Sequence, residues 1–520
     1  MMVFDAALQT GLRRDARNPR NTQALVECAN LLPSPYGLKK FVAEDGSAYI
    51  YDPMTPAKLG WVSMTKSWPF PQLMRLNAIT LLMDSQKIYE FDEYQGVNYW
   101  MPTGYPLQEP LISNVPLGGT WHAADFYDRV FLFNGAAVVY QDYDNGVVTW
   151  KNQSDVTINT GCAHKEGRLF YAGFDPADFY TSVGWDTYLE ELAENSGMAE
   201  YLDLSVNGPG PNWVWWSSIG GGDVLWLFPS SGLDLAKEGR LAGQGRIIWA
   251  EMAHKNQSGL RPMPFRGFVQ QMLPMGANVV VYGQDGVAAL VSASSPAPTY
   301  GLYKFPELGT RLGTFSRDAA AGGDVGQFFI DEGGTAWMIG PDLRVEKIGY
   351  QEYFSQLGNN TVVRYDDIRR EFWISDGVES YVLTQTGLSK APWCVFSLSG
   401  WGGKPVGVIQ ETASPEAITI VTEAFDGGER GIWEVETVRL AATDTDRTWE
   451  VAIDWRMDKA EAWSRTDPVT ADERGIARLS VSGLEFRVVL THEDRTKTDL
   501  ERIEVELRGE GRRSIKRLTV

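Results

Sequence analysis

From about Phe41 to Leu440, apolar or aromatic runs alternate with Gly, Asp and Asn turns, and the unit recurs roughly every 40 to 55 residues. The stretch Phe131 to Tyr140 is the clearest case, with Asn134-Gly135 set between two alternating runs. Asn-Gly in that position is the strongest short-range hairpin signal, because both residues tolerate the positive φ of a tight turn. Similar turns fall at Asp45-Gly46, Asp84-Ser85, near Asp175, at Ser230-Ser231-Gly232, Asp285-Gly286, Gly333-Gly334, Asp376-Gly377 and Gly427-Gly428. A period in this range fits propeller blades of four strands. The pattern therefore predicts an all-β chain whose residues 41–440 form a β-propeller around a channel. One interruption, Trp185 to Leu204, reads as a helical insertion: Tyr188, Leu189 and Leu192 share a face that Glu190, Glu191 and Glu194 avoid.

The two ends read differently. Residues 1–40 look like an arm: Arg13, Arg14, Arg17 and Arg20 form a basic patch, and Pro33 and Pro35 fix an extended path. So little apolar content predicts an arm that lies on another chain, so that deleting residues 1–30 would impair docking and leave the propeller folded. Ala441 to Arg447 reads as a polar linker. Beyond it, runs around Trp449–Trp455, Leu484–Leu490 and Ile503–Leu507 alternate at period two and predict a small C-terminal β-domain over 441–520. Arg512 and Arg513 belong to a basic tip, a second candidate contact for a partner.

Composition narrows the class. The chain has 520 residues, 43% of them hydrophobic, enough to bury a core larger than one domain. Its 19 Trp, 21 Tyr and 22 Phe sit beside 53 Gly, a balance that suits aromatic strands and tight turns rather than a helical bundle. Packing between blades is the expected role of the aromatics, including Trp213-Val214-Trp215-Trp216; sugar or base stacking is the functional alternative. Cys28, Cys162 and Cys394 are odd in number and far apart, which suits a reducing compartment. The first dozen residues do not read as a signal peptide, and no run is long enough to span a bilayer as a helix.

Charge is uneven. Residues 1–40 hold six basic and three acidic side chains, and residues 441–520 hold 15 and 17. With a total of −20, the intervening region carries −21. Such a surface should not grip a phosphate backbone, since affinity there comes from cations that release counterions. It suits either plain solubility or a wall that DNA passes without sticking.

No catalytic constellation stands out. The four histidines, His122, His164, His254 and His492, are scattered without metal-ligand spacing, and neither a nucleophile elbow nor a phosphate-cradling loop occurs. No cofactor is expected. Asp144-Asn145-Gly146-Val147-Val148-Thr149-Trp150 matches the core of the aspartate box, a hairpin of sialidase-like propellers, with Asp142 where the box has Ser or Thr. Its residues do structural work: Asp caps the turn, Gly frees φ, and Trp packs between sheets.

Taken in order, the chain resembles the tail hub, or nozzle, proteins of short-tailed bacteriophages, including the packaged-DNA stabilisation proteins. The residues that carry the likeness are Asn30 to Lys40 (N-x-x-P-S-P-Y-G-L-x-K), Gly286 to Tyr303, Phe328 to Ile339, and Arg364-Tyr365-Asp366 through Trp393-Cys394-Val395. The resemblance implies a structural virion protein and no enzyme. Such a protein assembles in the host cytoplasm into a ring, expected to be hexameric, below the portal and the head-to-tail adaptor. It would contact a tail needle or tail fibres, pass double-stranded DNA without tight binding, and avoid membranes. The other readings are a glycan-active propeller hydrolase or lyase, which needs a deep pocket with paired carboxylates, and a cytosolic propeller scaffold, which needs a monomer.

Overall fold

The computed structural model describes residues 2–3, 8–9, 11–14, 24–41, 67–76, 79–90, 110–126, 129–144, 147–153, 157–164, 167–174, 210–216, 259–293, 300–308, 312–401, 404–411, 417–426, 431–443, 449–494, 498–509 and 515–519. Regular structure among them is almost all β-strand, and the named helical segments are only Pro306–Leu308 and Gln351–Phe354. The all-β expectation holds.

Strands of the middle region pair with their sequence neighbours, as antiparallel meanders. The first sheet has three strands (Gln72–Leu76, Ile79–Met83, Ile88–Glu90). Four-stranded sheets follow: the second begins at His122–Phe126, the third at Ile158–His164, the fourth at Val269–Met275 and the fifth at Ala320–Gly323. Val362–Asp366 opens a sixth meander, and Trp393–Trp401 with Lys404–Glu411 forms a two-stranded seventh. The opening strands stand side by side from the second sheet through the seventh, and the seventh adjoins Gln72–Leu76 of the first. Gln72 then joins the first sheet to the second, its Oε1 accepting from the Trp121 N–H at 2.7 Å. The order of neighbours closes on itself.

The expected turns are there for a local reason. Where the second strand of a sheet turns into the third, an Asx side chain accepts the N–H groups two and three or four residues on. Asp84 takes those of Gln86 and Lys87, and Asn134 those of Ala136 and Ala137. Asp331 takes those of Gly333 and Thr335, and Asp376 those of Val378 and Glu379. Turn N–H groups have no ladder partner, so a carboxylate or amide oxygen placed there completes the turn. The fourth sheet differs: its Asp285 accepts instead from Gly267 at 2.7 Å. The aspartate-box hairpin joins Val138–Asp144 to Val147–Gln153, and Trp150 packs on the core shared by the first and second sheets. Trp213-Val214-Trp215-Trp216 is a strand, with Trp215 stacked on Tyr171 at 5.8 Å and Trp216 beside Phe170 and Tyr300. The turns near Asp45, Asp175, Ser230 and Gly427 and the helix at 185–204 lie outside the described residues.

The expected boundaries at 40 and 440 need correction. Leu25–Ala29 inserts as a strand, antiparallel to Ile418–Thr422 and parallel to Leu388–Lys390. It thereby joins the sixth meander to C-terminal strands Glu485–His492 and Glu450–Arg456 in one ten-stranded sheet. The hairpin Leu32–Ser34/Gly37–Lys39 pairs with Leu500–Gly509, on whose other side Trp433–Ala442 runs past residue 440 into the first two residues of the expected linker. Gly37 is required at that hairpin: its φ is +123°, and a Cβ there would sit 2.5 Å from the Leu500 carbonyl oxygen. Leu8, Leu12, Leu25, Cys28 and Leu31 are buried in a core shared with Phe328, Phe372 and Tyr381 on one side and Trp433, Val488 and Val505 on the other. Five well-spaced apolar residues thus make the expected arm an internal part of the fold.

Candidate functional site

Of the predicted contact residues, Arg13 and Arg14 are described. Arg13 is held inside the chain: Nη2 donates to Glu352 Oε1 at 2.7 Å, and Nη1 to Glu423 Oε2 at 3.0 Å. Those hydrogen bonds, with the charges of both carboxylates, outweigh burial and raise its pKa further. Its guanidinium is spent on the chain's own acids, which corrects the expectation of a free contact. The Arg14 carbonyl accepts from the Tyr350 N–H at 2.9 Å, and its side chain is exposed. Arg17, Arg20, Arg512 and Arg513 lie outside the described residues.

Among the described residues, polar side chains from several sheets meet instead where the opening strands begin. His122 starts the first strand of the second sheet, Thr160 lies in that of the third and Arg364 in that of the sixth. Arg317 and Asp318 immediately precede the fifth. His122 Nε2 lies 3.1 Å from Asp318 Oδ1, and His122 Nδ1 lies 2.8 Å from Thr160 Oγ1. An ionised carboxylate can only accept, so Nε2 carries the proton and Nδ1 accepts from the threonine hydroxyl. Thr120 Oγ1 donates to the other oxygen of Asp318, and Arg364 Nη1 reaches Asp318 Oδ1 at 3.4 Å. Arg317 donates to the carbonyls of Thr120 and Asn159 and, at 3.4 Å, of Phe133. These bonds cross from the fifth and sixth sheets to the second and third, with the fourth between them in sequence.

Burial and charge set the protonation states. Burial, followed by the nearby Arg317 charge, pushes the His122 imidazole down to about 4. Burial alone would raise the Asp318 carboxyl, but Arg364, His122 and Arg317 outweigh it and hold the group well below the usual carboxylate range. Burial also lowers Arg317, to about 10. At neutral pH the cluster is therefore a neutral histidine, one carboxylate and two guanidinium groups.

Hydroxyl, imidazole and carboxylate stand in the order used by nucleophilic triads. Thr160, however, is 0% exposed, and His122 and Asp318 are 8% and 4% exposed. A nucleophile needs an approach for substrate and a place for the developing oxyanion, and these groups spend their hydrogen bonds on one another. The arrangement works as a tie between sheets. Its bonds link the opening strands of the second and third sheets to residues at the start of the fifth and sixth. Among the described residues no group of three or more His, Cys, Asp or Glu could hold a metal ion. Nor is any described helix long and apolar enough to cross a membrane.

One further carboxyl is perturbed. Glu371, in the strand Glu371–Ser375, is pushed up to about 8 by burial, against a smaller opposing effect of a hydrogen bond with Trp373. Between its ordinary value of 4.5 and about 8, the folded chain holds a proton that the unfolded chain has lost. Stability therefore falls as pH rises through that window, by at most about 1.4 kcal/mol per pH unit. Glu371→Gln should match the parent chain near pH 4 and melt higher at pH 8, by an amount on the order of 4 kcal/mol. Thermal melts across pH 4–9 check this; parallel curves for the two proteins would refute it.

No known protein family matches the chain, and no curated protein is similar to it. Among solved structures it is similar to the extracellular domain of the putative one-component system BT4673 from B. thetaiotaomicron, at 11% identity and a TM-score of 0.34 over 98% of this chain and 64% of that one. A second is PorZ, a surface component of the type-IX secretion system of Porphyromonas gingivalis, at 11% identity and 0.31 over 89% and 53%. A third is the AfRom2 CNH domain, at 5% identity and 0.31 over 81% and 93%. The chain thus spans less than two thirds of the length of the first two, and likeness at such scores carries no argument about what it does.

Proposed function

We propose that the seven sheets are blades of a propeller and that the chain is a structural subunit, the tail hub or nozzle ring of a short-tailed bacteriophage, rather than an enzyme. The observation that carries this reading is the buried hydrogen-bond network of Thr160, His122, Asp318 and Arg364. Among the described residues, the best candidate for reactive chemistry is consumed in tying the chain's own sheets together. A subunit that must hold its shape under load needs such ties, whereas an enzyme needs the same groups free. Two further features support the reading: the resemblance carried by Asn30 to Lys40 and the later strands, and the charge of −21 over residues 41–440. In this reading DNA passes along an acid-rich wall that repels phosphate.

The test has two parts. Purified protein mixed with portal–adaptor complexes should form rings by electron microscopy and show no duplex DNA binding near physiological salt, where basic nonspecific binders reach roughly 10⁻⁴ to 10⁻⁶ M. Particles lacking it should package DNA and then lose it. A protein that stays monomeric beside those complexes, binds DNA in a salt-sensitive way, or is dispensable for genome retention is not a nozzle.

A further inference from the structure

The interior cluster is not electrically closed. Arg364 donates through Nε to the Phe396 carbonyl at 2.9 Å, and through Nη1 to Asp318 Oδ1 at 3.4 Å and the Val363 carbonyl at 3.3 Å. Its Nη2 is buried and has no acceptor among the described residues, and the same holds for Nε of Arg317. Every bond Arg317 does make ends on the hydroxyl or a carbonyl oxygen of Thr120, Phe133 or Asn159, none of which carries formal charge. Among the described residues the charged groups acting on Arg317 are Asp318 and Arg364 alone. With His122 neutral, two cations face one anion.

A surplus positive charge in the interior is costly, because desolvating an ion is offset only by a counter-charge with good hydrogen bonds. Buried donors without partners are likewise rare in folded proteins, and an ion or ordered water is a usual explanation. The chain as a whole is strongly acidic, so the surplus does not follow from its composition. We infer that a single small monovalent anion, of chloride size, binds against Arg364 Nη2 beside Asp318 and completes the cluster. One negative charge balances the surplus, whereas sulfate would overcompensate it. A guanidinium is weakly hydrated and gives up its water to such an anion more readily than an ammonium would. The site would couple the stability of the tie between sheets to halide concentration, independently of what the assembled protein does.

Bromide is the probe. Crystals of the full chain soaked in sodium bromide should give an anomalous peak within about 3.5 Å of Arg364 Nη2. In solution the melting midpoint should rise with bromide and saturate, as linkage to one site requires. Arg364→Lys keeps the charge and loses the Nη2 donor, so it should lose the saturating rise. Should that variant fail to fold, the crystal result on the parent chain decides. Bromide found only on the outer surface, an ordered carboxylate of this chain on Arg364 Nη2, or an identical bromide response in Arg364→Lys would each overturn the assignment.

Discussion

Removing residues 1–30 is expected to destroy cooperative folding of the region around residues 320–509, not merely to impair docking. The deletion takes away Leu8, Leu12 and Leu25, each at most 2% exposed, together with fully buried Cys28. Truncating one buried leucine to alanine costs about 2–5 kcal/mol. Losing three whole leucines therefore rivals the entire 5–15 kcal/mol of a typical fold. It also leaves Ile418–Thr422 and Leu388–Lys390 without the strand between them, exposing unpaired edges. The milder Leu25→Ala should cost about 2–5 kcal/mol without changing the fold. Denaturant unfolding and near-ultraviolet circular dichroism read both. A truncated chain with an unchanged midpoint would mean that the segment is a passive arm after all.

Asp318→Asn should be nearly as severe, although it changes one atom type. The amide keeps the shape and can still meet Thr120 and His122, yet it removes the carboxylate between Arg317 and Arg364. Breaking a buried ion pair from one side costs about 3–5 kcal/mol, because the remaining charge stays buried. Thr160→Val removes only a neutral hydroxyl from His122 Nδ1 and should cost less, about 1–3 kcal/mol. Urea midpoints with unchanged slopes would report both. Equal losses for the two variants would show that packing, rather than charge, holds this place together.

What the sequence made legible was local. The turns at Asp84, Asn134, Gly333-Gly334 and Asp376 were visible because their chemistry lies within four or five residues. Strand alternation around Trp449–Trp455 and Leu484–Leu490 was visible for the same reason. What escaped was pairing at a distance. His122 and Asp318 are 196 positions apart, and no spacing rule connects a histidine to an aspartate in another sheet. Arg13 read as a free cation because Glu352 and Glu423, its partners, lie 339 and 410 positions away. The polar look of Ala441 to Arg447 suggested a linker from residue 441, whereas Trp433–Ala442 carries the strand two residues into it because its two neighbours supply the ladder.

The inserted strand has a consequence for how the chain is made. Cys28 meets Ser389 across 361 positions, and Ile418–Thr422 comes later still. At roughly 5–20 residues per second, a ribosome needs roughly 20–70 s between finishing the strand and producing its first neighbour. For that interval Leu25 has only its backbone bonds to Gly11 and Arg13, Cys28 lacks Ser389, and most of the strand's edges remain open to any other nascent chain. Contacts of such long sequence separation also form slowly, since loop closure precedes any reward. Yield during synthesis should thus depend on a chaperone that holds the first thirty residues, and slower translation should make that dependence greater.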